Sequence, residues 1–253
     1  MEHYLSSASL KAQAKGQLFG KYGVLIGALL LQLLCTEPLQ FMCTLLFGQS
    51  TPFFVILSSA VTFLISLYSG LFSAGEAFLY LKVSCNQKPR ISDLFFCFKN
   101  DPIKVIKLQA VLAGISTLAM LPASLAACFL DTTALVGSSV STTLPSGSGG
   151  LFLLYAIFLV IGLVILVYAS LVFSQCYYLM LDFPDYTAGE LLKMSMQLMK
   201  GHKGRLFYIR LSFLPLMLLS LFSCCVGFLW VSPYMQAVNA GFYLDLIKKQ
   251  SPR

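Results

Sequence analysis

Every lysine and arginine of this chain, 17 in all, falls into one of four clusters: Lys11/Lys15/Lys21, Lys82 through Lys107, Lys193 through Arg210, and Lys248/Lys249/Arg253. The stretches between them, 22–81, 108–192 and 211–247, are apolar and hold no basic residue. In multispanning membrane proteins, cytoplasmic loops collect Lys and Arg while translocated loops do not. Each stretch therefore predicts one out-and-back hairpin. The N-terminus is expected in the cytoplasm, and so is the C-terminus if the last segment crosses.

Composition supports the same reading. Hydrophobic residues make up 58% of the 253 and charged ones only 11%, more apolar surface than a soluble domain of this size can bury. A crossing helix needs roughly 20 apolar residues. The expected spans are Tyr22 to Phe47, Phe53 to Leu81, Ile106 to Leu130, Leu151 to Leu181, Leu206 to Trp230 and Val231 to Ile247. The last is short and carries Pro233, Gln236 and Asn239, so an interfacial or re-entrant helix competes with a sixth span. The fold expected is an all-α, polytopic membrane helix bundle of six transmembrane helices, or five, with short cytoplasmic interfacial amphipathic helices. We read 1–253 as a single membrane domain of three hairpin units, approximately 5–83, 91–181 and 187–247, with 131–150 a flexible outer loop rich in Ser, Thr and Gly.

The net charge of +7 would suggest nucleic acid in a soluble chain. Here it reads as a basic face held against anionic lipid, so no nucleic-acid partner is expected. No cleavable signal peptide is visible, since three lysines precede the first apolar run and no small-residue cleavage site follows it. The eight cysteines have no metal-ligand spacing and read as small packing residues. A disulfide among Cys35, Cys43, Cys128, Cys224 and Cys225 is the alternative. No HExxH, paired-carboxylate or other catalytic constellation is present, His3 and His202 lack a ligand set, and Gly147 to Gly150 follows no strand. An intramembrane enzyme would have to work with Glu, Asp and Ser alone. The chain is read as no enzyme, with no cofactor, no metal and no catalytic residue.

One unit recurs three times: an amphipathic helix, a basic elbow with helix breakers, then a hairpin. The elbows are Lys15-Gly16 to Gly20-Lys21, Lys99-Asn100-Asp101-Pro102-Ile103-Lys104, and Lys200-Gly201-His202-Lys203-Gly204-Arg205. Gly or Pro lets the backbone turn from the membrane surface into the membrane while the cations stay at the headgroups. Lys200, His202, Lys203 and Arg205 are the candidate contacts to lipid or a partner protein. Before the third elbow, Thr187-Ala188-Gly189-Glu190 is a capping box. Glu190, Lys193, Gln197 and Lys200 then form a narrow polar stripe on a helix otherwise made of Leu and Met. That helix reads first as an anchor and second as a Met-rich docking surface. The shorter aromatic element from Ser92 to Lys99 also reads as an anchor.

Polar residues inside the membrane are functional candidates because charge in hydrocarbon is expensive. Glu76 lies six residues before Lys82, about 9 Å deep at 1.5 Å per residue, and Arg210 lies at a comparable depth past Arg205. A structural Glu76–Arg210 ion pair is the first reading and a proton or substrate site the second. Glu37, beside Pro38, reads as interfacial. Gln32, Gln236 and Asn239 can hydrogen-bond between helices, and Gln236 and Asn239 are also candidates to line a cavity.

The run Leu198-Met199-Lys200-Gly201-His202-Lys203-Gly204-Arg205-Leu206-Phe207, then Leu211-Ser212-Phe213, Gly227-Phe228-Leu229-Trp230 with Pro233-Tyr234, and the closing Phe242-Tyr243 resemble the DUF975 family. Asp182-Phe183-Pro184 resembles its Asp-x-Pro turn, and Asp93-Leu94-Phe95 with Phe98 its Asp-Leu-Phe-x-x-Phe. The chain departs from the family at Ile165-Leu166, where a Pro-Gly step is frequent, and in its longer outer loop, Asp131 to Gly150. The resemblance implies a bacterial integral membrane protein, mostly of Firmicutes, in the plasma membrane and without an assigned activity. The expectation is a non-catalytic protein whose basic cytoplasmic elbows contact anionic lipid, a protein partner or further copies of itself. The alternative is a small-molecule permease or transporter component, with Glu76, Arg210, Gln236 and Asn239 lining its cavity.

Overall fold

In a computed structural model the structure describes residues 5–47, 52–129, 148–223 and 226–250. Of these, 86% are helical and none lies in a strand. The helices are α1 (Ser7–Leu18), α2 (Tyr22–Phe47), α3 (Pro52–Ser84), α4 (Phe96–Lys99, entered through a 3₁₀ turn over Ile91–Phe95), α5 (Pro102–Phe129), α6 (Ser148–Val172), α7 (Cys176–Asp182), α8 (Ala188–Leu198), α9 (Lys203–Leu211), α10 (Leu214–Phe222) and α11 (Phe228–Gln250). The fold is thus an all-α bundle of five or six spans. Five stretches among the described residues are long and apolar enough to cross a membrane: Tyr22–Phe47, Pro52–Ser84, Pro102–Cys128, Phe152–Asp182 and Lys203–Phe222.

The sixth segment has the length but not the apolarity. At 23 residues α11 extends for about 34 Å, and its polar content follows from its surroundings. Ala237, Val238, Ala240, Phe242, Tyr243 and Leu246 are buried in protein, so the helix needs less lipid-compatible surface. Part of that cover is α1, whose Leu10, Ala14 and Leu18 recur at i, i+4 and i+8 and are all buried. The Tyr234 hydroxyl donates to the Lys11 carbonyl at 3.3 Å.

The fifth segment differs from the single helix expected over Leu206 to Trp230. It breaks at Ser212-Phe213, and the turn residues Ser223, Val226 and Gly227 come before the last helix. Pro215 explains the break, because it has no N–H for the Leu211 carbonyl and its ring collides with that turn. Lys11 covers the opening, donating to the Ser212 hydroxyl at 2.5 Å and lying 4.4 Å over the Phe213 ring. The outer loop expected over 131–150 lies outside the described residues for 131–147, and 148–150 form the first turn of α6.

Contacts group the chain into two compact units. The first comprises Met1–Cys35, Tyr68–Leu108 and Leu171–Arg253 and contains every Lys and Arg of the sequence. Its core holds Leu18, Leu25, Phe72, Tyr80, Leu94, Leu191, Phe213 and Tyr243. The second comprises Thr36–Leu67 and Gln109–Ser170. It buries Cys43, Val55, Ala113 and Ala123 and exposes Phe41, Leu45, Leu64, Leu118, Leu153 and Val164, the surface expected where lipid replaces water as solvent. Within it α6 meets α5 through Gly162, where an added Cβ would sit 2.7 Å from the Ala119 carbonyl oxygen.

Candidate functional site

Each basic elbow turns on one residue in the left-handed region: Gly20 at φ 77°, Asp101 at φ 52° and Gly201 at φ 86°. Glycine adopts that conformation without a Cβ clash, and Asp is among the few side chains that tolerate it. At the second elbow Lys104 donates to the Pro184 carbonyl and lies 3.8 Å from Asp101.

The third elbow is tied inward. Arg205 donates to the Asp245 carboxylate at 2.6 Å and to the Leu5 carbonyl at 2.5 Å, and its guanidinium lies 5.0 Å from the centre of the Phe242 ring. The Arg205 side chain is 21% exposed and that of Asp245 5%. One arginine thereby joins the start of α9 to α11 and to the N-terminal segment. His202, half-buried before it, has its imidazole pKa held below 6.5 by burial and by the Arg205 charge. Lys203 is half-buried and Lys200 exposed. Of the four candidate contacts, Lys200 is the one set fully outward.

Before that elbow the capping box forms at the start of α8. The Thr187 N–H and hydroxyl both reach Glu190 Oε2, at 2.9 and 2.8 Å, and these bonds hold the Glu190 carboxyl below its ordinary pKa. Glu190, Lys193, Gln197 and Lys200 are exposed, while Leu191, Leu192, Leu198 and Met199 are buried. Protein covers the apolar side of α8. Of its methionines Met196 remains exposed at 43%.

The aromatic element is fastened by Asp93. Its carboxylate accepts from the Arg90 N–H at 2.9 Å and pairs with Lys82 at 2.8 Å. Lys82 also lies 4.5 Å over the Phe78 ring, which stacks on Phe96. Phe72 meets Phe95 and Phe98 edge to face. Gly75 lets the 3₁₀ turn touch α3 so closely that a Cβ there would overlap the Leu94 carbonyl.

Glu76 and Arg210 both act electrostatically on Tyr178. Ion pairs among the described residues include Lys82–Asp93, Lys104–Asp101 and Arg205–Asp245. Tyr178 stacks on Tyr243 with ring centres 5.1 Å apart, and the Tyr243 hydroxyl donates to Asp182 at 2.6 Å. Gln236 and Asn239, one turn apart on α11, hydrogen-bond to each other at 3.5 Å. Among the described residues no group of three His, Cys, Asp or Glu side chains is placed to hold a metal. Cys35, Cys43, Cys85, Cys97, Cys128 and Cys176 are free thiols, while Cys224 and Cys225 lie outside the described residues.

Two of these ties, Arg205–Asp245 and Asp182–Tyr243, went unread in the sequence. Asp245 had one available signal, a lone carboxylate three positions past the Phe242 that also meets Arg205. The sequence pattern of a protein of unknown function, DUF975, matches residues 1–250. The chain belongs to the DUF975 family. No curated protein and no solved structure matches it. In this DUF975 protein the residues that carried the resemblance meet one another: Arg205 lies against Phe242, Tyr243 reaches Asp182, and Asp93 fixes the turn bearing Phe95 and Phe98.

Proposed function

We propose that this DUF975 protein is a non-catalytic, multi-pass protein of the cell membrane with both termini in the cytoplasm, whose basic face holds anionic lipid headgroups. One observation carries the reading: the first unit buries Asp93 and Asp245 against cations of their own and leaves a set of ammonium groups exposed. Asp93 and Asp245 are 11% and 5% exposed and each is paired with a cation. Lys15, Lys99, Lys107, Lys193, Lys200 and Lys248 are exposed. An ammonium near an anionic bilayer contributes about 1 kcal/mol, so a handful of them secures a shell of acidic lipid without a shaped pocket.

The test is native mass spectrometry of the protein extracted gently from its own membrane. Retained phosphatidylglycerol or cardiolipin is expected, and the joint change of Lys99, Lys107, Lys200 and Lys248 to Gln should remove most of it while thermal stability holds. Equal retention of zwitterionic lipid, or acidic lipid unaffected by the four changes, would overturn the reading. A stoichiometric protein in place of lipid would move the assignment to a partner.

A further inference from the structure

The second unit contains a cavity of about 380 Å³ between α2, α3 and α5. Its polar lining is uncharged and built mostly of hydroxyls, with Thr44 on α2, Ser58, Ser59 and Thr62 on α3, and Ser116, Thr117 and Ser124 on α5. Six of the seven hydroxyls have an acceptor for their hydrogen within their own helix, and the seventh, Thr62, lies 4.0 Å from the Cys43 Sγ. Thr44 donates to the Phe41 carbonyl at 2.7 Å, Ser58 and Ser59 to that of Val55 at 2.9 and 2.7 Å, Ser116 and Thr117 to that of Ala113 at 2.8 and 2.9 Å, and Ser124 to that of Leu121 at 2.9 Å.

Such back-bonding is common for Ser and Thr in helices, but here it gives the cavity a definite polarity. A hydroxyl has one hydrogen and two lone pairs. With the hydrogen directed along the helix, what remains of these six for a ligand is acceptor, and the negative end of each such O–H dipole is left for the cavity. The Gln40 amide and the Thr62 hydroxyl are the lining groups that can still donate. The unit contains no Lys or Arg, and Glu37 stands one turn before Gln40 on the same helix. Phe47, Met120 and Leu121 supply an apolar wall.

That combination selects among ligand classes. An anion would face mostly lone pairs, with two neutral donors to meet it. A sugar or other polyol brings as many acceptors as donors, and its acceptors would lose water without replacement, which costs about 1–3 kcal/mol each. A bare metal ion is far too small for a volume that corresponds to roughly a dozen waters at about 30 Å³ each. A protonated amine carries three donors and no acceptor, and its alkyl part suits the apolar wall. We infer that this cavity is a binding site for a small organic ammonium ion, held by serine and threonine oxygens. The inference stands apart from the lipid reading, which concerns the other unit.

The experiment uses the full-length protein in nanodiscs of zwitterionic lipid, with empty discs as blank. It titrates propylammonium, 1-propanol and propionate by isothermal calorimetry. Saturable binding of propylammonium is expected, at least about tenfold tighter than either isostere. Ser59→Ala with Thr117→Val should weaken it a further tenfold or more, since each change removes an oxygen that accepts from a charged donor. Thr117→Ser keeps the oxygen and should bind like the wild type, which separates loss of the acceptor from loss of packing. Absence of saturable propylammonium binding across the millimolar range would overturn the assignment. So would equal binding of 1-propanol, or a Ser59/Thr117 variant that binds as well as its parent.

Discussion

Replacing Asp245 by Asn removes one partner of the Arg205 tie and leaves the other charge in place. Cutting a buried pair on one side costs about 3–5 kcal/mol, because the remaining ion keeps its desolvation and loses its counter-charge. Arg205 is 21% exposed and still donates to the Leu5 carbonyl, so solvent and that carbonyl recover part of the loss. The expected destabilisation is about 2–3 kcal/mol. Arg205→Gln should cost a comparable amount, and the double variant less than the sum by at least about 1 kcal/mol, since the two side chains share one interaction. The assay is equilibrium unfolding by denaturant in mixed micelles, followed by two probes whose coincidence licenses a two-state treatment. Single variants within about 0.5 kcal/mol of the parent, or effects additive within about 0.5 kcal/mol, would show that the pair is a surface accident and refute the account of the third elbow.

Gly75→Ala should detach the aromatic turn, because the new Cβ overlaps backbone rather than a movable side chain. A loss of about 2 kcal/mol or more is expected, whereas Gly114→Ala, which meets nothing within 4 Å, should be neutral or slightly stabilising. His202 binds a proton less readily folded than unfolded, so its contribution to stability is full above its unfolded pKa of about 6.5. That contribution is lost as pH falls through the lower folded value. The fall in stability across mildly acid pH should be shallower in His202→Gln. Cys97 is buried, with its thiol pushed up to about 11, and Cys85 is exposed. A maleimide applied near neutral pH should therefore label Cys85 and spare Cys97.

The spans were legible because their cause is one-dimensional: an unbroken apolar run bounded by cations must cross or be buried, and the four clusters mark the boundaries. The start of α8 was legible for the same reason, since a capping box closes over three residues. The break at Ser212 was present in the sequence as Pro215 but is ambiguous there, because neighbouring groups can satisfy a proline's freed carbonyl in a membrane helix. The group that covers the opening is Lys11, some two hundred residues upstream. The partners of Arg205 and Tyr243 were hidden likewise, since Asp245 and Asp182 come from distant helices. The hydroxyl cavity lay furthest from view. Serines at 58, 59, 116 and 124 each satisfy themselves locally, and only the packing of α2, α3 and α5 gathers the unused lone pairs.

The buried carboxylates of Asp93 and Asp245 also divide the cations of the first unit into two kinds, and Arg205→Lys separates them. Through one guanidinium, Arg205 meets a carboxylate, a carbonyl and a ring face. A planar fork can serve all three, whereas an ammonium is a point charge that can follow Asp245 but not stack on Phe242 in the same pose. The substitution keeps the net charge, so a headgroup ligand would tolerate it, while a tie loses its second and third contacts. Stability should fall by about 1–2 kcal/mol with acidic-lipid retention unchanged. Lys200→Arg should alter neither quantity, because that side chain is exposed. Unchanged stability with lost lipid in Arg205→Lys would reverse the division, making the third elbow's arginine a headgroup ligand and its contact with Asp245 incidental.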